Sequence, residues 1–235
     1  MCKQHGNILF LILIAVVLFA ALSYAVTQSS RGGGNADKEQ LELRTASFVN
    51  YSNNIAVTVD RLLISQRCAE NELSFEKSPF DGTDSDYVNS DAPLDFSCHI
   101  YHPQGGGIPS PNVGDFQGIV GQTSEYEVYG STNNSIAGVL HPTSGYAADL
   151  SIIVRGVSEN ACISINESIG ITLPIPIDSG DLNVAPFDGD YTSVDNVDGT
   201  INYASSPWVG VGSEYSCFEE QATGDFIYFH VLHGR

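Results

Sequence analysis

The sequence predicts an α+β chain: an N-terminal transmembrane helix, a long stem helix, then an antiparallel β-rich head domain held by disulfides. Three observations carry this. Ile8 to Val26 is nineteen residues without a charge. Leu41, Phe48, Ile55 and Leu62 recur every seven residues. After Cys68, short runs of Val, Ile, Tyr and Phe alternate with Gly, Pro, Asn, Asp and Ser, the pattern of strands joined by turns. The expected organisation is a leader and apolar helix over 1–26, a Gly-rich linker over 27–36, an amphipathic stem over 37–67 and the head over 68–235.

A helix over 8–26 would span roughly 28 Å at 1.5 Å per residue, close to the hydrocarbon thickness of a bilayer. Lys3 precedes it and Arg31 follows, a bias that favours a cytoplasmic N-terminus. The lipid bilayer is therefore the expected partner of residues 8–26. The expected location is the bacterial inner membrane, single-pass, with the C-terminal part periplasmic or extracellular. As a signal peptide, the same stretch offers Ser23-Tyr24-Ala25 as a small-x-small cleavage site, leaving a soluble chain from Val26. As an uncleaved anchor it stays in the membrane.

Three consecutive glycines, Gly32 to Gly34, disfavour a continuous helix by ~1 kcal/mol each. Asp37 with Gln40 has the form of a capping box opening the next helix. From there, Thr45, Ser52 and Val59 fall at i+4 behind the heptad positions. The resulting narrow stripe suits packing of the helix against its own head, or against a partner helix.

In the head, "SEYEVYG" (124–130) and "IAGVLH" (136–141) form a predicted hairpin around "STNNS". "DLSIIVRGV" (149–157) is a buried-strand candidate and "FIYFHVLH" (226–233) a terminal strand. "SENACISINESIGI" (158–171) predicts a short helix capped by Ser158, with Cys162 and Ile165 on one side. The "FDG" copies at 80–82 and 187–189 read as independent turns.

Charge excludes whole classes of function. All 28 acidic residues follow Val26, against eight basic ones, and between Lys77 and Arg235 the only Lys or Arg is Arg155. Neutralising phosphates needs clustered Lys and Arg, so nucleic acid is not a partner. The same deficit argues against a nucleotide site or a face for anionic lipid.

Cys2 stands before the apolar run, and Cys68, Cys98, Cys162 and Cys217 follow it. An even number on the far side suits an oxidising compartment. The preferred pairing is Cys68–Cys98 with Cys162–Cys217, which joins neighbouring segments without crossing.

Asp188, Asp190, Asp195 and Asp198 lie within eleven residues, and Asp81, Asp84 and Asp86 form a second group. Calcium takes six to eight oxygens, which Asp/Gly loops can supply. The spacing is not that of an EF-hand, and Asp and Gly also dominate ordinary turns. Apart from calcium at these residues, no cofactor is expected. His99 and His102 flank Tyr101 beside "PQGGG", with Asp95 the nearest third ligand for a metal; two ordinary histidines beside a glycine run is the alternative. His230 and His233 are weighed in the same way. No Gly-Lys-Ser/Thr follows the glycines and no G-x-S-x-G occurs, so an enzyme is not expected. Trp208 is either a sugar platform or a core residue. The sequons at Asn50, Asn133 and Asn166 would matter only in a eukaryotic secretory route.

A very short polar leader, a Gly, then about twenty apolar residues running into a longer helix resembles type IV pilins and type II secretion pseudopilins. That resemblance implies cleavage after Gly6, leaving Asn7 as the first mature residue, and other pilin-like subunits as partners. The fifth mature position, usually Glu in the family, is Leu11 here. Pilin heads also combine a stem helix, an antiparallel sheet and a C-terminal disulfide loop, which Cys162 to Cys217 would enclose. The "ILFLILIAVVLFAALSYAV", "SCHIYHPQGGG" and "FHVL" elements also resemble those of a group of bacterial single-span proteins. The expected role is a membrane-anchored structural or assembly subunit with an acidic head. The alternative is a secreted or anchored binding module, dependent on calcium or carbohydrate.

Overall fold

A computed structural model of the chain describes residues 6–29, 33–82, 87–112, 116, 118–121, 126–129, 150–172, 174–178, 186–189 and 213–234. The chain divides into two compact units, Met1–Leu41 and Glu42–Arg235.

The first unit holds helix α1, Gly6–Ser29. Its described side chains, 10 to 24, are all exposed. Among the described residues no helix is long and apolar enough to cross a membrane, which corrects the expected transmembrane helix. Residues 27–29 are still helical and helix α2, Gly33–Arg61, begins before the proposed capping box at Asp37. Residues 30–32 lie outside the described set.

Nor is α2 a long stem beneath a head. From Glu42 onward it belongs to the second unit. Phe48, Ile55, Val59 and Leu62 are fully buried, with Thr45 and Ser52 beside them, so the heptad stripe faces the domain core. Phe48 meets Phe116 and Tyr228 edge-on, at 5.2 and 4.8 Å between ring centroids. The helix ends in a π-helical turn, Leu62–Gln66, closed by Arg67 in the left-handed region and by Cys68 N–H donating to Leu62 O at 3.2 Å. The opposite face of the helix is exposed, Leu43 and Val57 included.

Among the described residues the sheet has five strands in the order β1-β2-β5-β4-β3. These are β1 Tyr126–Tyr129, β2 Leu150–Val157, β3 Ile177–Asp178, β4 Tyr215–Glu220 and β5 Phe226–His233. Its centre is the antiparallel trio β2, β5 and β4, and the two-residue β3 joins β4 in parallel. β2 and β5 were legible as apolar runs of β-branched and aromatic residues. β1 pairs with β2, and its predicted hairpin mate at 136–141 lies outside the described residues. β2 carries a bulge between Arg155 and Val157, where Gly156 takes φ +71°.

Helix α3, Glu159–Ser168, packs on β4 and β5. Its Ser158 cap is extended, but its hydroxyl donates to Gly118 O at 3.2 Å rather than capping the helix. Cys162 and Ile165 are buried as expected. The antiparallel sheet expected after Cys68 is present, its described strands beginning at Tyr126. The described part of 68–121 is a 3-10 turn, Glu70–Glu72, and irregular turns, with single bridges Ser74↔His99 and Val120↔Val157.

Candidate functional site

Two cystines frame the second unit. Cys68–Cys98 and Cys162–Cys217 form with the expected pairing, and all four cysteines are buried. The first ties the end of α2 to the loop carrying His99. The second ties α3 to β4.

The His99 loop is locked from several directions. Ser74 N–H donates to Cys98 O at 3.1 Å and Ile100 N–H to Ser74 O at 2.9 Å. Gly106 N–H donates to His99 O at 2.7 Å, and Arg61 of α2 donates to the carbonyls of Gly105 and Gly106 at 3.1 and 2.9 Å. A Cβ on Gly105 or Gly106 would collide with the carbonyls of His99 and Ile100. The glycine run is there because two backbone segments cross, and no phosphate needs to be invoked.

Inside this loop His99 and Glu76 are both buried, with His99 Nε2 3.7 Å from Glu76 Oε2. Glu76 Oε1 accepts the Gly82 N–H at 2.7 Å. Burial lowers the His99 pKa, and the Glu76 carboxylate opposes that shift. His102 lies flat on Phe96 at 4.4 Å and edge-on to Phe80 at 4.9 Å, and its Nδ1 accepts the Gln104 N–H. The Asp95 pKa is lowered by hydrogen bonds from Ser97, whose N–H donates to Oδ1 at 3.0 Å. Each group of the proposed His99/His102/Asp95 metal set is thus engaged in loop packing. Among the described residues no group of three or more His, Cys, Asp or Glu could hold a metal ion.

Of the calcium candidates, Asp188 is exposed in a turn beside the buried Phe187, which packs on Phe75 at 6.0 Å. Asp190, Asp195 and Asp198 lie outside the described residues, as do Asp84, Asp86, Asn133 and Trp208. Gly6 and Asn7 fall in the first turn of α1.

The terminal histidines separate in role. His230 is buried beneath Tyr215 and accepts or donates to Tyr228 Oη at 3.1 Å; burial pushes its pKa down to about 4. His233 Nε2 lies 3.4 Å from Glu70 Oε1.

Asn166 is the residue sequence reasoning undervalued. Its amide donates to Cys217 O at 2.8 Å and accepts from Cys217 N–H and Ser216 Oγ at 3.0 Å each. It occupies the free edge of β4 where β3 does not reach. Its engaged nitrogen also removes the Asn166 sequon from consideration. Arg155 has an equally definite place: its guanidinium reaches both oxygens of the buried Glu220 at 3.4 and 3.3 Å. Thr223 donates to the same carboxylate at 2.7 Å.

Among the described residues, grooves open on two sides of α2. One, between α2 and the 107–112 segment, holds about 550 Å3 and includes Tyr51, Val57, Pro109 and Phe116. The other, between α2 and α3, holds about 500 Å3 and is lined by Glu42, Asn50, Asn53, Ser164, Glu167 and Tyr215, among others. Asn50, passed over as a sequon, is an exposed member of that lining. No family model, no curated protein and no solved structure matches the chain.

Proposed function

We propose that this protein is an exported, non-catalytic contact module. Residues 8–26 target the chain to a bacterial inner membrane, and the acidic unit from Glu42 onward makes its contacts on the periplasmic or outer side. The observation that carries this reading is the pair of buried cystines, which persist in oxidising compartments and are rare in the cytosol. Among the described residues His99, His102 and Asp95, weighed as metal ligands, are held by contacts within their own loop.

The test is thiol trapping in intact cells before lysis. Blocked Cys68, Cys98, Cys162 and Cys217 in the membrane or periplasmic fraction support export. Four free thiols in the soluble cytoplasmic fraction would overturn it.

The finer role has two forms. The assembly-subunit form, with pilin-type processing, is supported only by the pattern of residues 1–26. N-terminal sequencing tests it: a chain beginning at Asn7 supports it, and one beginning at Val26 removes it. The binding-module form is favoured by the α2/α3 groove, a polar, ligand-sized opening on a frame fixed by a cystine.

A further inference from the structure

We infer that the groove between α2 and α3 binds a protonated primary amine carried by a small ligand rich in hydroxyl or amide groups. This inference rests on the binding-module form of the proposed function. The groove volume of about 500 Å3 lies within the range of small-molecule sites.

Its chemistry is one-sided. Among the described residues its charged side chains are the carboxylates of Glu42 and Glu167, with no Lys, Arg or His. Glu42 has further partners, so the charge argument rests on Glu167. A carboxylate only accepts hydrogen bonds, whereas the amides of Asn50 and Asn53 and the hydroxyls of Ser164 and Tyr215 both donate and accept. Acceptors therefore outnumber obligate donors, and a donor-rich ligand satisfies them best. An ammonium brings three donors and a charge that pairs with a carboxylate. An anion would enter a negative site on a chain of net charge −19. Ala46 and Val49 add an apolar strip against which the carbon skeleton of the ligand can lie.

The walls are held before a ligand arrives, which lowers the ordering cost of binding. α2 is fixed to β5 by Phe48 against Tyr228. α3 is fixed to β4 by Cys162–Cys217 and by Asn166. Tyr215 rests on the His230 ring at 5.4 Å.

Two sources share this chemistry: an amino sugar, and a lysine side chain of a peptide. Ligand-observed NMR on the full, disulfide-bonded chain in detergent distinguishes them with three probes. These are glucosamine, Nα-acetyl-lysine methylamide, and N-acetylglucosamine as the comparator without charge. At least one ammonium probe is expected to bind with a Kd in the millimolar range, and the stronger of the two identifies the source. N-acetylglucosamine is expected to bind at least about tenfold more weakly, a difference of about 1.4 kcal/mol. Glu167→Gln should weaken the ammonium probes about tenfold. Glu159→Gln, the same charge change in the first turn of α3, should leave them unchanged. Equal binding of N-acetylglucosamine, an equal loss in both variants, or no ammonium binding at about 50 mM would overturn the inference. None of these outcomes bears on the thiol-trapping test, so the two readings fail separately.

Discussion

Replacing Asn166 tests how the β4 edge is completed. The side chain supplies a donor to Cys217 O and an acceptor to Cys217 N–H, both buried. Asn166→Ala strands these two backbone groups and the Ser216 hydroxyl, which also bonds the amide oxygen. Each buried polar group left without a partner costs about 1–3 kcal/mol. Some of that is recovered if water enters the vacated space, so the expected loss is about 2–4 kcal/mol. Asn166→Asp is the sharper variant. It keeps the acceptor but places a carboxylate oxygen against the Cys217 carbonyl. Burial and that facing carbonyl raise its folded-state pKa above the unfolded value of about 3.9. Its stability is then highest at low pH, where the protonated acid can donate, and is lost as pH rises through the folded pKa. Urea denaturation followed by circular dichroism, with the cystines intact, measures both effects. An Asn166→Ala variant within about 0.5 kcal/mol of wild type, or an Asp variant as stable as wild type at pH 7, would refute the reasoning.

Four further outcomes are expected. His230, with a folded pKa of about 4 against an ordinary 6.5, is neutral when folded, so stability falls as pH drops from about 6.5 to about 4. The total is about 3 kcal/mol, and His230→Gln should flatten that slope in pH-dependent melts. Arg155→Met leaves the Glu220 carboxylate buried with only Thr223 to bond it; with Arg155 one-third exposed, the expected cost is about 1–3 kcal/mol by denaturation, with partial rescue by Glu220→Gln. Cys162→Ala with Cys217→Ala opens a loop of 55 residues, and the chain-entropy relation gives about 4 kcal/mol in a denaturant midpoint shift. Thr45→Val should raise the melting temperature slightly, because the Thr45 hydroxyl is buried with no hydrogen-bond partner among the described residues.

Local chemistry made part of this molecule legible from its residues. The heptad stripe of α2, the apolar runs of β2 and β5, the Ser158-led helix and the cystine pairing depend on spacing along the chain. Periodicity and separation are written in the sequence, and burial follows them. The rest required distant segments to meet. That Asn166 completes the edge of β4 joins residues about fifty positions apart. That Arg155 is placed against Glu220 joins residues 65 apart. The "QGGG" run is explained by a backbone crossing, and His99 by a buried Glu76, neither visible as a motif. For α2 the stripe predicted the buried face, and the fold decided its partners, Phe116 and Tyr228 against Phe48. A sequence shows which side chains must find apolar or polar company. Only the tertiary structure decides which company they find, because hydrogen-bond geometry and close packing act across space without regard to chain distance.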